Sequence, residues 1–368
     1  MNQKLLFLVP FLLTSILGTS QNIVCLDIQA NPNSSDPALS AFTKYIDVFG
    51  VGIYAESSIS DEKIKHVAAI FAEWLDNNED GIVDDMNVLS GLTSRNALMP
   101  IFSQEGSSAE NTFFNNYNGD GVAAVCYSFE IVTTRPLTTQ FDATLEENLH
   151  TISSIGYANA YPAEFSEDES SNSLLNQAMD LARGGHFTTL PNPYPAGAWY
   201  TYDDATCAYN CMATEYFYWG LTSKLGIQDY GNRCMEIANE WQPCTSNQFQ
   251  STDTLLYNLL TNPIGYVIPT NAPDGNYCPS TSAIENLEEN KSLNVFPNPS
   301  SNELNISSNQ GNYLIKIIDL RGELLYEFDL IDESETKIRL DSFSSGLYLI
   351  QAINISNNKS ENIKFLKR

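Results

Sequence analysis

DEKIKHVAAIFAEWL at residues 61–75, followed directly by DNNEDGIVDDMN at 76–87, decides how most of this chain is read. In the first piece Ile64, Val67, Ala68, Phe71, Trp74 and Leu75 recur at steps of three and four, so they share one face of a helix. The second piece is polar, breaks that period at Asp76 and carries Gly81 at its centre. Met86, Val88, Leu89 and Leu92 then resume an apolar helical stripe. The same period predicts further helices near 142–158, 173–183, 204–225, 229–241 and 251–261. Residues 40–262 therefore read as a mainly helical globular domain.

Composition sets what such a domain can do. The chain has 368 residues, with 45 Asp and Glu against 18 Lys and Arg, a formal net charge of −27. A hydrophobic share of 43% and an aromatic share of 11% can bury a core, which excludes a disordered acidic chain. Nucleic acid is excluded as a partner, because phosphate affinity comes from clustered cations that release counterions. Docking on an anionic membrane is disfavoured for the same reason.

Met1–Lys4 carries one cation, Leu5–Gly18 is an apolar run, and Gly18, Thr19 and Ser20 are small. This is the pattern of a secretory signal peptide over residues 1–20, with cleavage expected after Ser20. No later run reaches the roughly 18 apolar residues of a membrane helix, so no stable span is expected after its removal. Seven cysteines follow, at 25, 126, 207, 211, 234, 244 and 278. In an exported chain they read as disulfides rather than zinc thiolates, and the odd count leaves at least one thiol unpaired. Spacing alone leaves the pairing open.

The pattern changes after Tyr277. Residues 279–290 form a Ser/Thr- and Glu-containing linker, and beyond it come short β-type runs at Ser292–Phe296, Glu303–Ser307, Tyr313–Leu320 and Leu347–Ile353. These runs predict a small β-sandwich over residues 291–368. From residue 286 onward nine cations face twelve anions, so −24 of the charge lies before it. Asn294-Val295-Phe296-Pro297-Asn298-Pro299, Ile318-Asp319-Leu320-Arg321-Gly322, Gly346-Leu347-Tyr348 and the terminal Lys364-Phe365-Leu366-Lys367-Arg368 stand in order at the chain's end. Together they resemble a type IX secretion C-terminal sorting domain. The resemblance implies an exported protein of the Bacteroidetes type, secreted or held at the cell surface, with the secretion machinery as partner of this segment. Residues 21–278 are left to carry any other function.

The 76–87 stretch resembles an EF-hand or dockerin-type loop. Ca²⁺ takes six to eight oxygens, and a glycine at position 6 permits the sharp turn between them. Asp76, Asn78, Asp80 and Asp84 would supply side-chain oxygens, Ile82 its carbonyl, and Asn87 stands at position 12. Asn87 replaces the usual bidentate Glu, which weakens the expected site toward the ~10⁻⁴–10⁻³ M range of extracellular modules.

Chemistry is legible at Glu146-Glu147-Asn148-Leu149-His150. Leu145, Leu149 and Ile152 form the apolar stripe of a helix, and Glu146 and His150, four apart, project together from a neighbouring face. This is the spacing of H-E-x-x-H, in which two ligands hold zinc and the intervening Glu activates water. Glu146 stands in place of the first His, and a carboxylate can ligate zinc or the harder Mn²⁺ and Fe²⁺. Glu215 lies among aromatics on the later helix, where an unpaired charge is costly, and is the expected third ligand. The arrangement is similar to gluzincin peptidases, which would make Glu147 the general base and let Tyr216 or Tyr218 steady an oxyanion. His186 is the alternative third ligand. The loop Tyr194–Tyr202 is a candidate cleft lining, though an ordered surface loop also accounts for it.

Two functions follow from these residues. One is an exported calcium-binding surface protein whose E-E-x-x-H stretch is degenerate. The other is a secreted zinc-dependent, peptidase-like hydrolase.

Overall fold

Two antiparallel strands, Lys44–Val48 and Val51–Ala55, turn on Phe49 and Gly50, both at positive φ, and this hairpin opens a sheet that the helical reading did not foresee. The computed structural model describes residues 26–133, 141–279, 293–308, 312–319, 324–331, 335–344, 346–355 and 360–367. The signal-peptide segment and all but the first residue of the 279–290 linker lie outside the described residues. The chain divides into two compact units, residues 1–280 and 281–368.

In chain order the first unit holds β1 (Gln29–Ala30), β2 (Lys44–Val48), β3 (Val51–Ala55), α1 (Asp61–Leu75), α2 (Met86–Ser94), β4 (Leu98–Phe102), α3 (Ser108–Asn116) and β5 (Cys126–Tyr127). There follow α4 (Ala143–Thr151), a π-helical turn (Ile152–Tyr157), α5 (Ala158–Ala160), α6 (Pro162–Phe165), α7 (Leu174–Arg183) and α8 (Tyr209–Lys224). The last are α9 (Arg233–Glu236), α10 (Ser246–Thr252) and α11 (Thr254–Thr261). The five strands form one sheet in the order β1-β2-β3-β4-β5, antiparallel up to β3 and parallel from β3 to β5. The first unit is mainly helical, as its apolar periods predict, with the addition of a five-stranded mixed sheet on which helices pack.

Both faces of that sheet are covered, which is why β3 and β4 are buried at every residue and show no alternation. Ile53, Met99 and Ile101 pack with α1 and the helical layer. Tyr54, Leu98 and Phe102 pack with Phe42 and Phe113 on the other side. The helix at 61–75 has the bounds its period predicts, and Ser60 caps it by accepting from Lys63 N. The expected helix at 142–158 is instead broken by the π turn. The one expected at 229–241 shrinks to the four residues of α9, because Gly231 takes a positive φ and Trp241 is extended in a bridge with Tyr200. Two disulfides lie at α8 and after it: Cys207–Cys211 ties its first turn to the preceding segment, and Cys234–Cys244 closes a loop beyond it. Cys278 is also disulfide-bonded, and Cys126 is a buried free thiol.

The second unit holds β6 (Leu293–Phe296), β7 (Glu303–Ser308), β8 (Tyr313–Ile318), β9 (Leu324–Leu330), β10 (Glu335–Arg339), β11 (Gly346–Asn354) and β12 (Ser360–Lys367). They make two antiparallel sheets, β10-β7-β6 and β12-β11-β8-β9. Leu304 and Ile306 of the first and Ile315, Ile317, Ile350 and Phe365 of the second share one core. Strands β9, β10 and β12 were not among the sequence expectations.

Candidate metal centre

Helix α4 is anchored at its N-terminus and midway along before its acidic face is considered. Asp142 caps it, with Oδ1 accepting from Thr144 N and Val132 N. Asp142 Oδ2 also lies 2.7 Å from Nε2 of His66 on α1, both side chains being buried. Halfway along, Asn148 Nδ2 donates to Val67 O at 2.9 Å. With Leu145, Leu149 and Ile152 in the core, Glu146 and His150 face α8.

There they meet Glu215. Glu146, His150 and Glu215 each offer a donor atom, and these atoms lie within 4.8 Å of one another. Among the described residues no other three His, Cys, Asp or Glu donors come so close. Nε2 of His150 stands 3.4 Å from Glu215 Oε2, within ion-pair reach but out of hydrogen-bonding alignment, so this buried nitrogen has no hydrogen-bond partner. On the other side of the ring Nδ1 is 3.7 Å from Glu147 Oε2.

The electrostatics follow from crowding acids in a half-buried place. Burial and the charge of Glu215 push the Glu146 carboxyl well above its ordinary range. Burial pulls the His150 imidazole down, but Glu215 and Glu147 outweigh it and hold the ring well above its usual value. Glu167 is pushed up to about 7 by burial, against hydrogen bonds from Ser154 and Thr214. A cluster that otherwise gathers protons is one a divalent ion can occupy by displacing them.

Aromatic side chains frame the cluster, and here the structure corrects the sequence reading. Tyr216 points to the far side of α8, where its hydroxyl donates to Asp253 at 2.6 Å and its ring packs on Trp241. It is therefore no candidate to steady an oxyanion at this site. Tyr218 is the one that reaches it, its ring edge-on to His150 at 5.7 Å. Tyr202, at the end of the aromatic loop, donates to Glu215 Oε1 at 3.3 Å. His186 pairs instead with Asp180 at 2.8 Å and Glu169 at 3.4 Å, away from His150. Sequence reasoning missed Glu167 and the role of Tyr202, because both reach the cluster through folding of loops with no local signature.

The loop after α1 has its own order. Gly81 adopts φ +86°. Asp76 accepts from Asp80 N at 3.1 Å, Gly81 N at 2.8 Å and the Tyr277 hydroxyl at 2.6 Å. Asn78 accepts from Asp80 N, Asp80 from Ile82 N, and Asp84 from Asn77 N. Val83 is buried, while the Ile82 side chain is exposed and leaves its carbonyl at the seventh position. Asn87 falls within the first turn of α2, and its Nδ2 donates to the Tyr161 hydroxyl at 3.0 Å. The acids of the loop do not approach one another as closely as the Glu146 trio does.

Comparisons with known proteins bear on the second unit. Residues 294–366 match the family described as the secretion system C-terminal sorting domain. Among solved structures, PorZ, an essential bacterial surface component of the type IX secretion system of Porphyromonas gingivalis, is 26% identical. That match covers 21% of this chain and 11% of PorZ, with a TM-score of 0.20. A DUF3244 family protein from Bacteroides vulgatus, with an immunoglobulin-like β-sandwich fold, is 19% identical over 22% of this chain and 88% of its own, with a TM-score of 0.20. The curated proteins yield no match. No helix among the described residues is long and apolar enough to cross a membrane. The chain thus carries a C-terminal sorting domain recognised by the type IX secretion machinery, which exports it to the cell surface or the extracellular space.

Proposed function

We propose that the first unit is a secreted metal-dependent, peptidase-like hydrolase. The observation that carries this reading is the convergence of Glu146, His150 and Glu215 around a buried imidazole nitrogen without a hydrogen bond. Three protein ligands with an open fourth position are the donor set of catalytic zinc, and two carboxylates also suit Mn²⁺ or Fe²⁺. Such an ion supplies a water of lowered pKa and polarises a scissile carbonyl. In this reading Glu147, which lies 3.7 Å from Nδ1 of His150, would be the general base toward such a water. Tyr202 fixes the Glu215 carboxylate, and the Tyr218 ring holds the imidazole plane.

The test is metal analysis of the purified full chain together with Glu147→Gln. One equivalent of transition metal and chelator-sensitive peptide hydrolysis are expected, with the variant keeping the metal and losing the hydrolysis. A variant that loses metal about 10–100-fold instead makes Glu147 a residue that steers His150 through Nδ1. Wild-type protein with neither metal nor hydrolysis refutes the enzyme reading.

A second reading applies to the loop, favoured by Gly81 at positive φ and by the chain of acceptors from Asp76 to Asp84. In this reading the loop binds Ca²⁺ through Asp76, Asn78, Asp80, Ile82 and Asp84, with Asn87 in the weak twelfth place, and so stabilises the domain. At calcium fifty times above Kd the linkage is about 2 kcal/mol, or roughly 5 °C in Tm. An identical Tm in millimolar calcium and in chelator would sink the calcium assignment.

A further inference from the structure

Arg233 begins α9, next to the Cys234–Cys244 bridge, and its guanidinium is unusually well fixed on one side only. Its Cζ lies 4.7 Å from the centre of the Phe141 ring and 5.7 Å from that of Trp219. Nε donates to Gln228 Oε1 at 3.0 Å. Gln228, itself buried, donates onward to the Tyr218 hydroxyl at 3.0 Å and to Thr222 at 3.1 Å. Tyr218 is the ring that packs on His150. The guanidinium is thus tied to the candidate metal cluster through two side chains, Gln228 and Tyr218.

Phe141 and Gln228, which hold the guanidinium, also line a narrow hollow with Leu145, Tyr218, Ile227 and Tyr230. Asp142 also reaches this hollow, but its carboxylate is engaged by His66 and backbone amides. Arg233 is half-exposed, and its planar fork keeps its terminal nitrogens uncommitted. Such a fork matches a carboxylate bidentately, and it keeps that geometry when stacked on aromatic rings.

We propose that Arg233 is the specificity-determining residue of this site, taking a carboxylate of the peptide substrate, from either an acidic side chain or a free C-terminus. The assignment rests on the hydrolase reading for its meaning, and its test is a binding measurement that stands without turnover. Four N-acetylated alanine-based tetrapeptides, with Glu or Gln at one position and a free or amidated C-terminus, are titrated calorimetrically into the full chain carrying Glu147→Gln. Each titration is run with zinc and with chelator.

The expected result is at least tenfold tighter binding of one carboxylate-bearing peptide over its neutral twin, abolished by Arg233→Gln. Whether the Glu or the free terminus gives the gain identifies the source. Arg233→Lys keeps the charge without the fork and should recover only part of the preference, and it carries the test if the Gln variant does not fold. Equal binding of all four peptides, or a preference that survives Arg233→Gln, overturns the proposal. A preference that depends on Arg233 in protein retaining no metal and showing no hydrolysis would sink the metal reading and leave Arg233 as a carboxylate site.

Discussion

Alanine at position 150 is expected to abolish metal retention and to cut hydrolysis by at least ~10³-fold, even in excess zinc. An ion that polarises a carbonyl and activates water contributes several kcal/mol at the transition state, and about 4 kcal/mol corresponds to that factor. His150 is the sole nitrogen donor of the trio, so its loss leaves two carboxylates that repel each other. Glu146 is already held above its ordinary range by burial and by Glu215. A carboxyl whose folded-state pKa is raised contributes stability at low pH that is lost as pH climbs through that value. With the His150 imidazole raised as well, the cluster should make the metal-free wild type less stable at pH 8 than at pH 5, measured as Tm in chelator. Glu215→Gln keeps the shape and the Tyr202 contact while removing one ligand charge, and it should lose metal with little change in the Tm measured in chelator. Unchanged metal content in both variants, measured after desalting, would show that the cluster is not the binding site.

Much of this cluster was legible, for physical reasons that mark where legibility ends. Glu146 and His150 are four apart on a helix whose apolar stripe fixes which way they face, so their shared face follows from local geometry. Glu215 stood out because a charge amid aromatic residues needs a partner. Tyr216 and Tyr218 flank the same face ambiguously in sequence. Only the packing of Tyr216 on Trp241 and Asp253 assigns it to the core. Arg233 had no sequence signal at all, since its position depends on Gly231 interrupting a predicted helix. The sheet was missed for a related reason. Strands β3 and β4 are covered on both faces, so period-two alternation vanishes, and Pro100 within β4 reads as a break. The sorting segment was recognisable from its motifs, yet β9 and β12 followed only from pairing with β8 and β11.

The π turn after α4 was equally invisible, and it yields the second large effect. It lies against α2, where Gly91 and Gly156 let the two backbones touch. A Cβ built on Gly91 would stand 2.8 Å from Gly156 O and 3.2 Å from Ile155 O, both main-chain atoms that cannot rotate away. Alanine ordinarily improves a helix by about 1 kcal/mol over glycine. Overpacking against backbone costs roughly 1–3 kcal/mol, and occasionally more. The clash should win, so Gly91→Ala is expected to lose about 2 kcal/mol, a fall in Tm of roughly 4–8 °C. Gly156→Ala should cost less, because the nearest atom its Cβ would meet is a Val88 methyl at 2.8 Å, a side-chain rather than a main-chain atom. The π turn begins directly after Thr151, one residue beyond His150, so prising it from α2 tilts the end of α4 that carries the ligand. Zinc affinity of the folded Gly91→Ala protein should therefore fall along with its stability. Phe113→Ala, on the opposite face of the sheet, removes a buried ring at a cost of about 3–5 kcal/mol and should leave zinc affinity intact below its own Tm. Equal zinc affinity in the two folded variants would mean that the crossing of α2 on the π turn supports the fold without setting the geometry of the metal centre.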